Sequence, residues 1–564
     1  MRRLLVASLL TVVACTKSPA LGTTLKPKPE RRAPIVVALV IDQQSAWAAA
    51  ERWPELPSSG GIARLRREGT WVRNARYAHA ALDTAPGHAA IHTGFPPRET
   101  GIVANERIEG GKAAPILRDV TTKLVDVDGA TGVVGSSIAP LRVDTIADRF
   151  RKTNPAADIV SVSLKDRAAI MGGGRAPTAT IWFEASLDRF VSSTAFGTRL
   201  PTWARPHATT PAIELLRARP WELLDPPFVR AHAATADDAP GEGDFEGLGV
   251  TFPHFVAKAT RPAVALRATP YADEAVLSVA TAAIVDHTAR TPAQPMLLSL
   301  SLSANDYVGH IFGPDSFEAW DNLTRLDASL AKLFATLDAA VSADGWSVVL
   351  TGDHGSVSMP EVQKRPWCAP GAKDPWERPC GDGHRLDPLA LRDSLDAAAV
   401  ALLGPGRWID GIPDPYVVYT EAARALPPEK RDKLDATIVE RLRATPGVHS
   451  VYVVRTMPPT CASDDSVGAL VCRSVRPEAP FDVYVVTQPG SYFDTRYVPG
   501  KGASHGSPWL FDRTVPIVVR APQRVAPAVV REEPIASATS TRALAALLGL
   551  PADPRWEGVD LVSR

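Results

Sequence analysis

Apolar residues are concentrated in short uninterrupted runs through the first two-thirds of the chain. The clearest is Ile35–Ile41 (IVVALVI), followed by 159–164, 295–302 (PMLLSLSL) and 346–350 (WSVVL). An aliphatic and β-branched run with no polar alternation predicts a strand buried on both faces, the condition of a parallel sheet. Between the last two runs, residues 316–341 place apolar side chains three and four apart, which predicts a long amphipathic helix. Further on, the pattern predicts a helix at 428–444, strands at 450–454 and 515–520, and a helix at 536–550 that ends in Gly549 and Pro551. Strands alternating with helices give an α/β fold with a mostly parallel sheet flanked by helices.

Polar groups follow the four runs: Asp42, then Lys165 and Arg167, then Asn305 and Asp306, then Asp353 and His354. One aspartate after a strand is a turn former or a helix cap. Four clusters at successive strand ends are different, because ligands of open α/β sheets bind beyond the carboxyl ends of the strands. Two regions, about 178–285 and 356–480, carry denser Pro, Gly and Trp and weaker periodicity, and read as insertions or caps on the core. The length of 564 residues allows up to about four units at ~150 residues each, or one large α/β core bearing such insertions.

Composition narrows the function classes. Lys plus Arg and Asp plus Glu both total 62, so the net charge is zero and there is no basic field of the kind that binds nucleic acid or anionic lipid. Arg2 and Arg3 precede an apolar stretch, 4–14, too short to span ~30 Å of hydrocarbon, which predicts an export signal. Val12-Val13-Ala14-Cys15 also resembles a bacterial lipobox, with Cys15 as the lipidated first mature residue; the alternative is an ordinary signal peptide cleaved nearby. On this reading 1–15 is the signal, 16–33 a Pro- and Lys-rich tether and 34–564 the catalytic body. The protein is then exported, periplasmic or in the cell envelope, and meets a membrane only through its anchor.

Four cysteines remain after Cys15, an even number in a chain bound for an oxidising compartment. Short spacings favour Cys368 with Cys380 and Cys461 with Cys472, although four cysteines allow three connectivities. No CxxC spacing supports a cysteine zinc site.

The remaining motifs are carboxylates and imidazoles: Asp42, Asp83-Thr84-Ala-Pro-Gly-His88, Asp306-xxx-His310, Asp353-His354, and His505 within Lys501-Gly-Ala-Ser-His-Gly506. These ligand types suit zinc, with manganese or a mixed pair also compatible, and seven donors including Thr84 are enough for two ions. Two ions ~4 Å apart serve phosphoryl transfer, one at the attacking oxygen and one at the leaving oxygen. An unassisted hydroxyl is a weak nucleophile, so Thr84 needs such help. Its place ahead of Ala-Pro-Gly predicts a strand-to-helix turn that aims a helix N-terminus at an anion.

In this order the motifs resemble the alkaline phosphatase superfamily, and within it the phosphate-irrepressible alkaline phosphatases with a threonine nucleophile. These are related to the type I phosphodiesterase/nucleotide pyrophosphatase group. The resemblance covers nearly the whole mature chain. It implies an alkaline-phosphatase-like core and one zinc held by Asp306, His310 and His505. It gives the other zinc to Asp42, Asp353 and His354 together with the Thr84 oxygen. It also implies a phosphothreonine intermediate, with Asn105, Lys165 and Arg167 on the phosphoryl oxygens.

Two cations at one phosphate favour a dianionic monoester over a diester, which carries one charge fewer. The function expected is therefore an exported two-zinc phosphomonoesterase that releases inorganic phosphate, with a phosphodiesterase or nucleotide pyrophosphatase on the same scaffold as the alternative. The segment Thr84-Ala-Pro-Gly lacks the Cys/Ser-x-Pro-x-Arg pattern of sulfatases. A metal-independent binding lipoprotein would not need every ligand. His88 and His92 lie four apart but lack the intervening Glu of a zinc protease and read as packing groups; His384, beside Cys380, reads as a loop histidine.

Overall fold

The computed structural model describes residues 34–363 and 368–563, so the export signal, Cys15 and the tether lie outside the described residues. Five strands form the centre of a 12-stranded sheet: β1 (Ile35–Ile41), β2 (Asp158–Ser163), β3 (Ala179–Glu184), β4 (Met296–Leu302) and β5 (Trp346–Thr351). They lie side by side as β5-β1-β4-β2-β3, all parallel. Both flanks join the centre through antiparallel pairs, although the short outermost strands Val529–Arg531 and Ile535–Ala536 run parallel to Thr70–Arg76. On one, β6 (Thr514–Arg520) pairs with β5 and then with Thr70–Arg76; on the other, Arg189–Ser193 pairs with β3 and leads to the hairpin Arg118–Asp126/Gly129–Ser136. The parallel part of the mostly parallel sheet expected from the sequence is its centre.

The register explains why the chemistry collects at one rim. Val40 is level with both Ser301 and Thr351, and Ser301 is level with Ser163, so four strands end together. Every residue of β1 and β4 is buried, as their unbroken apolar runs require. Side chains alternate between two cores. Val37, Leu39 and Ile41 face the layer that contains Leu330 and Phe334, whereas Val36, Ala38 and Val40 face the layer of Ile91 and Leu544. At about 1.5–3 kcal/mol for each fully buried aliphatic side chain, this two-sided burial fixes the centre of the sheet more firmly than strand pairing alone.

Five helices matter for the site: α1 (Thr84–Thr93), α2 (Asp166–Gly173), α3 (Pro270–Arg290), α4 (Ala304–Phe312) and α5 (Phe317–Val341). The predicted long helix is α5, capped by the Ser316 hydroxyl, which accepts from the Ala319 amide. The interval 178–285 needs correction as an insertion. Its first residues are β3, inside the central sheet, and its last turns belong to α3, which packs on β2 and β4. Alanine-rich α3 buries Ala272, Val276, Ala280 and Ile284 together with Tyr271 and Asp273, so no one-sided stripe marks it as a core helix. The true excursion is the irregular stretch 194–269.

The second interval holds a separate antiparallel sheet in the order Ile409–Gly411, Tyr416–Tyr419, Val483–Thr487, Val448–Val453. Helices Pro388–Leu403 and Pro428–Arg443 share its core. The strand Val483–Thr487 is internal to that sheet, so the cap closes beyond the expected end at 480. Two disulfides staple the cap region, Cys368–Cys380 and Cys461–Cys472, with Cα–Cα separations of 5.5 and 5.6 Å. Among the described residues no helix is long and apolar enough to cross a membrane.

Cys472 lies on the helix Val467–Ser474, whose Ser474 hydroxyl accepts from the Ala80 and Ala81 amides just ahead of Thr84. Opening this short loop by Cys461→Ser with Cys472→Ser is expected to cost about 2–3 kcal/mol and to lower the thermal midpoint of the oxidised protein. An unchanged midpoint in a calorimetric scan would show that this staple contributes nothing to stability.

Candidate active site

Each predicted polar group takes its place from a strand end. Asp42 follows β1, Lys165 follows β2 as the residue capping α2, Asp306 is in the first turn of α4 after β4, and Asp353-His354 follow β5. His310 stands one helical turn beyond Asp306. Thr84 opens α1, with Asp83 as its cap. His505 arrives on a distant loop that is locked to α4, because the Ala503 amide donates to the His310 carbonyl at 3.0 Å. Gly502 permits that approach: its φ is +73°, and an added Cβ would lie 1.8 Å from the His310 carbonyl oxygen.

Potential ligand atoms of Asp306, His310 and His505 lie within 4.8 Å of one another, and so do those of Asp42, Asp353 and His354. The histidines are oriented for coordination. His310 Nδ1 is 2.9 Å from the Ala503 carbonyl, His505 Nδ1 is 2.8 Å from the Leu82 carbonyl, and His354 Nδ1 is 3.0 Å from the Gly355 carbonyl. A carbonyl oxygen only accepts, so each Nδ1 carries the hydrogen and each ring turns its Nε2, the position left for a metal, inward. His310 Nε2 and His505 Nε2 are then 3.3 Å apart, two lone pairs that need a cation between them.

The carboxylates make the same demand. Asp42 Oδ1, Asp353 Oδ2 and His354 Nε2 are buried without a hydrogen-bond partner, and Asp42 Oδ2 is met by the Lys165 ammonium. Burial would lower the His354 imidazole, but the Asp353, Asp42 and Asp306 carboxylates outweigh it and push it up to about 10. A buried imidazole driven that far reports a deficit of positive charge. Residue types, orientation and orphaned atoms together fit divalent metal in both groups.

Asp83 forms a third such grouping with His354 and His505. Its sequence motif alone assigns it no role. The carboxylate accepts from the Thr84 amide and from the Asn105 side-chain amide, so it braces the turn that presents Thr84. The one signal in the sequence is its position as a helix-capping aspartate directly before the proposed nucleophile.

The phosphate side differs in one respect from expectation. The α1 N-terminus offers no free amide to an anion: Thr84 N–H goes to Asp83, Ala85 N–H goes to Asn105 Oδ1 at 2.7 Å, and residue 86 is proline. The cationic groups at this end are side chains. Lys165 Nζ is 3.1 Å from Thr84 Oγ1, 2.6 Å from Asp306 Oδ2 and 2.8 Å from Asp42 Oδ2. Burial would push this ammonium down, and the two carboxylates more than offset that and hold it above its ordinary value. Arg167, with Nε unpartnered, lines a cavity of about 470 Å³ together with Asn105, His310, His505 and Tyr497. The cap supplies the outer wall through Arg392, Asp410 and Phe493.

The other histidines of the motifs stay outside both ligand groups. His88 is buried between the Thr84 carbonyl, the Ser301 hydroxyl and Asp353, supporting a ligand without joining either group. His92 is buried, and burial holds it down to about 3, a neutral packing ring. His384 is exposed, away from the cavity.

Comparison with known proteins agrees with this architecture. The profile of the family "Type I phosphodiesterase / nucleotide pyrophosphatase" matches residues 36–370. Alkaline phosphatase PhoK of a Sphingomonas species is 30% identical over 517 residues, 86% of this chain and 83% of that protein. Alkaline phosphatase PhoV of Synechococcus elongatus is 32% identical over 362 residues, 62% of this chain and 65% of that protein, a match spanning just under two thirds of the relative. The crystal structure of wild-type alkaline phosphatase PafA superposes with a TM-score of 0.78 at 22% identity, covering 93% of this chain and 98% of that one, which shows a shared fold.

The packing of Gly502 generates a test. Gly502→Ala should shift His310 and His505 apart and weaken divalent-metal retention about 10–100-fold, the usual effect of disturbing groups that orient ligands. Metal content after dialysis against a metal buffer is the readout. Retention equal to the parent would mean that this contact does not set the histidines.

Proposed function

The chain belongs to the type I phosphodiesterase/nucleotide pyrophosphatase family, and on that premise we propose that it is an exported, two-zinc phosphomonoesterase that works through Thr84. The observation that carries the reading is the Thr84 hydroxyl, 3.1 Å from the Lys165 ammonium, which itself touches one carboxylate of each ligand group. Asp306, His310 and His505 would hold one ion and Asp42, Asp353 and His354, with Thr84, the other. Bound there, zinc would supply Lewis acidity at the attacking and leaving oxygens.

The residues of the chain do the rest. Asp83 and Asn105 fix the turn that holds the Thr84 oxygen beside Lys165, and attack at phosphorus in line forms a phosphothreonine as the bond to the leaving alcohol breaks. Water then cleaves the phosphothreonine and frees inorganic phosphate. Lys165 and Arg167, with Asn105 at the edge, stabilise the equatorial oxygens, which carry most of the charge in a loose transition state. Two cations reward a dianionic phosphoryl group more than a monoanionic one. The likeness to alkaline phosphatases PhoK and PhoV supports the same substrate class, whereas the family profile favours a diester reading. Residues 1–15 as export signal with lipidated Cys15, and 16–33 as tether, complete the proposal.

Two measurements test it. On one zinc-replete preparation, kcat/KM for an aryl phosphate monoester should far exceed that for the matching diester, and Lys165→Ala should cost the monoester about 10–100-fold, the worth of one charged hydrogen bond. A diester preference would move the protein to the phosphodiesterase branch. Thr84→Ala should lower turnover by on the order of a thousandfold or more while the zinc content stays near two per chain. Full activity in that variant would end the covalent mechanism, and activity in a demonstrably metal-free sample would end the two-metal site.

A further inference from the structure

Tyr307 stands between Asp306 and His310 in the sequence, and its ring is buried, 4% exposed, beside the site. Two cations lie close to it. Lys165 Nζ is 5.2 Å from the ring centroid and the Arg267 guanidinium carbon is 4.8 Å from it, while Arg267 also donates to the phenol oxygen at 3.2 Å. The ring of Tyr497, which lines the cavity and packs 5.5 Å from the His310 ring, is 5.9 Å away.

The need for this ring follows from the neighbours of Lys165. Its counter-ions, Asp42 and Asp306, are also members of the two metal-ligand groups. When those carboxylates commit their charge to metal, the ammonium keeps little of their attraction and shares a small volume with like charge. An aromatic face attracts a cation through its quadrupole without being a metal ligand, and a desolvated pair is the strongest case. Arg267, from the end of the excursion 194–269, holds the phenol in place through its oxygen.

We propose that Tyr307 is a positioning residue for Lys165: its ring keeps the ammonium beside Thr84 when Asp42 and Asp306 serve metal, and so secures the charge that recognises a dianionic phosphate. The inference rests on the reading of Lys165 as a contact to the phosphoryl oxygens. It assigns a specificity role to a side chain that touches neither metal nor substrate.

The experiment compares rings of one shape. Tyr307→Phe keeps the electron-rich face and drops the hydroxyl; trifluorophenylalanine at position 307 keeps the shape and drains the face. Inorganic phosphate binding to zinc-replete protein is followed by calorimetry, together with zinc content and monoester and diester kcat/KM. The Phe variant should bind phosphate within about threefold of the parent, whereas the fluorinated ring should lose about tenfold. Monoester kcat/KM should fall in parallel, diester kcat/KM should barely move, and zinc content should be equal. With Lys165→Ala also present, the two rings should give the same phosphate affinity.

Equal affinity for both rings with Lys165 in place would overturn the proposal. So would an undiminished difference without Lys165, or a loss of zinc large enough to account for the weaker binding. If the parent hydrolyses no monoester, the functional reading falls separately, and the dependence of phosphate binding on the ring and Lys165 still decides the role of Tyr307.

Discussion

Buried negative charge is the constraint around which this protein is organised. Asp42, Asp306 and Asp353 are 0%, 1% and 0% exposed, and isolated carboxylates at that depth cost several kcal/mol each unless they are paired. The level register of β1, β4 and β5 puts all three at adjacent strand ends, so the sheet that forms the core also creates the charge problem. Lys165 answers part of it by touching two of the three. The excess drives His354 up to about 10, although burial alone would lower it. Three imidazoles tethered by Nδ1 to backbone carbonyls, with Nε2 turned inward, complete an arrangement that suits divalent metal.

Charge and specificity are carried by different parts of the chain. The sheet centre and α4 hold the ligand groups at positions that depend on register and on backbone contacts such as the Ala503–His310 bond. The second sheet reaches over the same rim and supplies the cavity wall through residues such as Arg392, Asp410 and Phe493. That wall is mixed in charge, and its Arg392 and Asp410 are only half-buried, so they can change without disturbing the charge balance beneath. A single core can in this way serve many leaving groups.

How much of this is legible in the sequence depends on what each signal reports. Strands buried on both faces announce themselves as unbroken apolar runs, and a polar residue directly after such a run is placed by topology, which is why the sequence alone locates Asp42, Asp306, Asp353 and His354. Their grouping with His310 and His505 comes from the family resemblance and not from periodicity. Composition misplaces the insertion limits where it stands in for topology: β3 and the alanine-rich α3 lie in the core without a clear stripe. Tyr307 and Asp83 sit within the same motifs, yet the role proposed for the one rests on a ring face and that of the other on a turn brace, and neither leaves a spacing pattern.

The spent N-terminus of α1 changes how substrate choice should be understood on this scaffold. A helix N-terminus that offers free amides recognises any phosphoryl anion, because the donors belong to the backbone and survive side-chain change. Here Asp83, Asn105 and Pro86 remove those donors. On the proposed reading, discrimination between a dianion and a monoanion falls to Lys165 and Arg167, and through them to whatever holds those cations in place. Such side chains can be exchanged without altering strand register or either ligand group. One fold is therefore compatible with monoester and diester enzymes alike, and Lys165 and Arg167, rather than the core, are the physical basis on which we propose the first for this chain.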